Sequence, residues 1–215
     1  MTTIPQWDGW HLIGRFPDED DGVGSWILHY NGEAALLEVP PGLTVYMVVK
    51  ALKTLGGLKL KHIFVSHKHE DHYNRETCRY LQRYFGIKVH HNQSDKIGSK
   101  SRNRAKMHDS YGSIGGEQLW LIGAPKHSPS DVIVAFRGVA MTGDIELGMV
   151  KSVNDEVSEV TKRKSMQWFS GFEERTGYHI HSIVSAHLND VRTDVNWSDL
   201  FAVGAHGNPA THVKR

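Results

Sequence analysis

Ser66-His67-Lys68-His69-Glu70-Asp71-His72 follows directly on the apolar run His62-Ile63-Phe64-Val65. The apolar run, rich in β-branched and aromatic residues, reads as a strand, and Asn74 just beyond the cluster reads as the N-cap of a helix. Three imidazoles and two carboxylates so close together are poor packing material, because every buried polar group needs a partner. If the backbone stays extended past the strand, His67 and His69 project to the same side by the period of two. Asp71 and His72 fall where the chain turns toward the helix, and reach a different point in space. The pattern points to metal ligation, and to two adjacent ions rather than one. Imidazole-rich ligation favours zinc, while iron, manganese and cobalt accept the same donors.

Working outward, the segment before the cluster reads as a hairpin, Ser25–Tyr30 and Glu33–Val39 joined by Asn31-Gly32. Both turn residues tolerate the positive φ of a type I′ turn. Pro40-Pro41-Gly42 ends the second strand, and Thr44 caps a helix whose apolar stripe is Val45, Val48, Val49, Leu52 and Leu55, stopped by Gly56-Gly57. After the cluster, a helix runs from Asn74 to Phe85 with Cys78, Leu81 and Phe85 inward and Gly86 as its stop. Ile87–Val89 and Leu119–Ile122 read as strands, and Asp131–Phe136 with Val139–Thr142 as a second hairpin about Arg137-Gly138. The polar, basic stretch 93–116 reads mostly as loop. One helix is expected over Glu156 to Thr176, and the last clear strand over Ile180 to Ser185. Two sheets covered by helices would bury this pattern, in a single domain spanning 1–215.

Composition narrows the function. The 215 residues carry 25 Lys+Arg against 24 Asp+Glu, so no whole-protein charge steers the chain to nucleic acid or to a membrane. Cys78 is the sole cysteine, which excludes a disulfide framework and cysteine-rich zinc sites. The N-terminal stretch lacks the features of a signal peptide, and no apolar run approaches the length of a membrane span. A soluble, cytoplasmic protein is the expectation. No Ser-His-Asp signature or P-loop competes for the chemistry.

His67-x-His69-x-Asp71-His72 resembles the signature of the metallo-β-lactamase-fold superfamily. Further segments resemble that family in the same order: Ala124-Pro125-Lys126-His127-Ser128-Pro129-Ser130 its third-histidine loop, Met141-Thr142-Gly143-Asp144 its Gly-Asp motif, and Val184-Ser185-Ala186-His187 its final strand-end histidine. The upstream hairpin also matches, except that Glu38 stands where the family commonly has aspartate. The resemblance implies a four-layer αββα sandwich of two mixed β-sheets flanked by helices. It further implies one metal on His67, His69 and His127, and a second on Asp71, His72 and His187, with Asp144 bridging. For the third ligand, His90, His91 and His108 compete with His127; for the last, His179 and His181 compete with His187.

With two divalent cations, two aspartates and a hydroxide, such a centre keeps a surplus of positive charge that favours an anion forming beside it. The expected activity is hydrolysis of a small ester, thioester, lactone or amide by hydroxide held between the metals, with Asp71 orienting the hydroxide and assisting proton transfer. The metals are expected to be zinc, with iron or manganese as alternatives. The alternatives in activity are a phosphodiesterase or nuclease, and an iron-dependent redox member of the fold. Two basic clusters, Lys96 to Lys106 and Lys162-Arg163-Lys164, bear on a nucleic-acid partner and read first as solvated surface. The family's β-lactamases with a cysteine in the second site are excluded, because no cysteine lies between the third and last histidines. From the short segment after His187 no glyoxalase II type helical domain is expected, nor, from the length of the chain, a nuclease insertion. The Trp-rich N-terminus (Trp7, Trp10, Trp26) reads as core.

Overall fold

The first hairpin forms as its turn chemistry dictates. In the computed structural model, which describes residues 4–17, 21–90, 107–145, 156–197 and 200, strands β2 (Val23–Tyr30) and β3 (Glu33–Leu37) pair antiparallel about Asn31 and Gly32. Both turn residues have positive φ, 43° and 79°. The Thr44 hydroxyl accepts the Met47 N–H to start α1 (Val45–Thr54), and Asn74 Oδ1 accepts the Thr77 N–H at 2.8 Å to start α2 (Arg75–Phe85). Between the helices, β4 (Lys59–Phe64) lies parallel to β3 and to the two-residue β5 (Val89–His90). On the other edge of this sheet is β1 (Trp10–Phe16), antiparallel to β2.

The second sheet runs β11-β10-β9-β8-β7-β6. Its centre is the second expected hairpin, β8 (Val132–Phe136) and β9 (Val139–Met141), turning on Arg137 and Gly138, both with positive φ. β9 pairs parallel with β10 (Ser182–Val184), and β11 (Val191–Thr193) closes that edge. β7 (Glu117–Gly123) joins β8 to the other edge strand, β6 (His108–Ile114).

Three apolar clusters stack these sheets between helices. Trp26 and Leu28 of β2, Val134 and Phe136 of β8 and Met141 of β9 meet between the sheets. Alternate residues face outward: Ile27, Ala34 and Leu36 pack under Val48, Leu52, Cys78 and Leu81 of α1 and α2. Ile133 and Ala135 pack under Met166, Phe169 and Phe172 of α3 (Glu159–Ser170) and α4 (Phe172–Thr176). The period of two thus gives each central strand two apolar faces, and the result is the four-layer αββα sandwich. The tryptophans are structural, since Trp10 and Trp26 are buried edge to face at 5.6 Å and Trp10 Nε1 donates to the Phe136 carbonyl. Burial pushes the Cys78 thiol up to about 12, which makes it a packing residue rather than a nucleophile.

Three expectations need correction, and two strands carry no signal in the sequence. The end of the stretch read as loop, from His108, is an edge strand: its polar residues carry no alternating signal, and its backbone pairs with β7 from His108↔Gly123 to Ile114↔Glu117. The helix expected over Glu156 to Thr176 begins at Glu159, where Ser158 caps it, and breaks at Gly171 into two. Strands β1 and β11 had no clear signal, because both lie at sheet edges and are half-buried. Lys162 is not solvated: it is buried on α3 with Nζ 3.6 Å from Glu159, while Arg163 and Lys164 face solvent. The cluster Lys96 to Lys106 and His91 lie outside the described residues.

Candidate metal centre

The motif loop leaves the C-terminal end of β4, and the other candidate residues leave the same end of the second sheet. His127 lies between β7 and β8, Asp144 just past β9 and His187 just past β10. Backbone hydrogen bonds lock these loops together. The Val132 N–H donates to the Ser66 carbonyl at 2.8 Å, and the Ala186 N–H to the Gly143 carbonyl at 3.0 Å. Gly143 is required there twice over: its φ is +62°, and a Cβ would stand 2.9 Å from Ser66 Cβ.

All seven sequence-predicted side chains meet at this end, in two groups. In the first, His69 Nδ1 lies 3.1 Å from both His67 Nε2 and His127 Nε2. In the second, Asp71, His72, Asp144 and His187 converge, with Asp71 Oδ2 3.5 Å from His72 Nε2 and 3.6 Å from His187 Nε2. Asp144 stands between the groups. Its Oδ2 is 3.2 Å from His72 Nε2 and 3.7 Å from both His67 Nε2 and His127 Nε2, while Oδ1 faces His187 Nε2 at 3.4 Å. The competing histidines are elsewhere. His90 packs on His62 and Phe64, His108 is on β6, His179 pairs with Glu173, and His181 contacts Ser182.

These residues fit metal ions on their own chemistry. Three ring nitrogens directed at one point cannot all be satisfied by each other, since two unprotonated nitrogens only repel. A tetrahedral ion with nitrogens at 2.0–2.1 Å separates them by about 3.3 Å, close to what is seen. Buried Asp144 Oδ1 has no well-aligned hydrogen-bond donor, as expected of an oxygen shaped for a cation.

The outer nitrogens are held as well. His67 Nδ1 lies 3.0 Å from the Ser66 hydroxyl, His69 Nε2 3.3 Å from Glu156 Oε1 and His72 Nδ1 3.2 Å from Glu38 Oε2, while His187 Nδ1 meets the Asp21 carbonyl. Such partners fix which nitrogen is left to bind metal. Glu38, fully buried, also accepts the Ser66 N–H at 2.8 Å through Oε1. The glutamate therefore spans to the motif loop from the position where aspartate was expected. Sequence reading missed Glu156, Ser66 and the Asp21 carbonyl as partners, because nothing in chain spacing links Glu156 to His69 across 87 residues.

The electrostatics of the metal-free chain are uneven. Burial, with His72 beside it, pushes His67 down to about 2, so its lone pair is free at neutral pH. Burial also opposes charge on His72, but hydrogen bonds to Asp144 and Glu38 override it and lift His72 to about 10. Asp144 beside it likewise raises His187. Burial works against a charged Asp144 too, yet His187 and His72 hold it far below the usual carboxylate range. A metal must displace the proton from His72 Nε2, so binding at pH 7 is expected to release about one proton or more. Calorimetric titration with zinc in buffers of different ionisation enthalpy measures this; the release should shrink as pH approaches 10.

Compared by sequence, the chain matches no protein-family model and no curated protein. Compared by structure, it is similar to the B3 metallo-β-lactamase BLEG-1, at 18% identity over 86% of this chain and 93% of that one, with a TM-score of 0.60. A B3 metallo-β-lactamase described as the first with an active-site glutamic acid gives a TM-score of 0.63 at 13% identity, over 90% and 83% of the chains. The chain has the metallo-β-lactamase fold. ETHE1 from Myxococcus xanthus shares this fold with it, with a TM-score of 0.56 at 17% identity, over 86% and 77% of the chains. Among the described residues, no helix is long and apolar enough to cross a membrane.

Proposed function

We propose that the protein is a metal-dependent hydrolase with a dinuclear centre, zinc being the best match to its donors, acting on a small ester, thioester, lactone or amide. The observation that carries this reading is the position of Asp144 between two complete donor groups. A single-ion redox centre would leave Asp71, His72 and His187 without a task. Bound there, two divalent cations would supply Lewis acidity and bring the pKa of a water to about 7.

The chain's own residues do the rest. His67, His69 and His127 would hold one ion, and the charge of Asp144 faces both halves. Asp71 is about half exposed and held by His72 and His187, so its carboxylate is the group to orient the attacking water and pass a proton to the leaving atom. The B3 metallo-β-lactamases among the structural relatives make a cyclic amide a natural member of the substrate panel. A phosphodiester is less favoured, because Lys162 is committed within α3 and Glu156 adds negative charge beside His69.

The test is a hydrolase panel (esters, thioesters, lactones, a chromogenic β-lactam and a phosphodiester) run before and after chelation, with His69→Ala as control. Turnover is expected to vanish on chelation and to return with zinc or manganese. Undiminished turnover by metal-free protein would remove the proposal.

A further inference from the structure

Resting on the metal-centre reading above, we propose that Asp131 is a positioning residue that sets His127 onto the three-histidine half of the centre, and so governs metal uptake by that half. Asp131 is 2% exposed, immediately before β8. Its Oδ2 accepts the backbone N–H groups of Lys126, His127 and Ser128 at 2.8, 2.6 and 2.9 Å. Three consecutive amides turned onto one point make an anion-binding nest, here filled by the chain's own carboxylate.

The placement has a consequence for one half of the centre only. His127 sits on a loop, and a loop left to itself would spend binding energy on ordering its backbone. The other four imidazoles are fixed through their outer ring nitrogens by Ser66, Glu156, Glu38 and the Asp21 carbonyl. For His127 the hold runs through the backbone, from Asp131. The same strand start also carries the Val132 N–H that grips the Ser66 carbonyl, next to His67. Residues 131 and 132 therefore register the His127 loop against the His67 loop, while the clamp itself acts on 126–128 and leaves Asp71, His72, Asp144 and His187 alone.

The test compares Asp131→Ala and Asp131→Asn with the wild type by zinc equilibrium dialysis and by cobalt(II) absorption titration, with circular dichroism to verify the fold. The wild type is expected to bind two ions. Asp131→Ala should keep one and bind the other about 10–100-fold more weakly, with loss of the nitrogen-rich tetrahedral cobalt band. Asp131→Asn, which keeps an acceptor oxygen in the nest, should fall between them, and it carries the test if the alanine variant does not fold. Two wild-type affinities in the alanine variant, or equal weakening of both ions in a folded asparagine variant, overturns the inference. A wild-type chain that takes up no metal overturns the centre itself, which separates the two failures.

Discussion

Asp144→Ala should strip metal from both halves of the centre and lower turnover by about 10³-fold, the equivalent of about 4 kcal/mol. Its carboxylate faces ligand nitrogens of both groups: Oδ2 faces His72, His67 and His127, and Oδ1 faces His187. Removing it takes away the shared donor and also the charge that offsets crowding among four imidazoles. Substituting His127 instead should spare the Asp71–His72–His187 half. Metal content after dialysis and turnover on the best panel substrate, measured together, decide the matter. An Asp144→Ala protein that retains two ions would show that the carboxylate is not the bridge.

Glu38→Ala should destabilise the metal-free protein by about 3–5 kcal/mol, lowering its melting temperature by roughly 10 °C. The change orphans the buried Ser66 N–H and removes the carboxylate beside His72, both wholly enclosed. The effect carries a pH signature. His72 rises from 6.5 to about 10 on folding, so its contribution is fully present below about pH 6.5 and is lost as pH rises through 10. The gap between Glu38→Ala and wild type should therefore narrow between pH 7 and 10. Glu38→Gln keeps an acceptor for Ser66 and should cost less. Unfolding curves at pH 6 and pH 10 check both statements, and a gap that does not change with pH would remove His72 from the account.

The two strand pairings that frame the site were readable because each rests on local chemistry. Asn31-Gly32 and Arg137-Gly138 each set a two-residue turn, and the apolar runs around them bury both faces of their strands. The caps at Thr44 and Asn74 were legible for the same reason. Edge strand β6 was not, since what forms it is a row of backbone hydrogen bonds to β7 and not the character of its own side chains. The break at Gly171 likewise depends on the packing of α3 and α4, with Phe169 and Phe172 both seated against the second sheet.

By itself, the sequence marked His67, His69, Asp71 and His72 as candidate donors, because a strand end and a helix cap bracket them within one short segment. Only the tertiary structure decided that His127, Asp144 and His187 join them and that His90, His108, His179 and His181 do not. That choice depends on which strand ends the sandwich stacks at one edge, through bonds such as Val132 to Ser66 and Ala186 to Gly143. It also decided the outer partners, Glu38, Glu156 and Asp131. A carboxylate's hold on an imidazole or an amide acts over about 3 Å of space, a distance on which separation along the chain has no bearing.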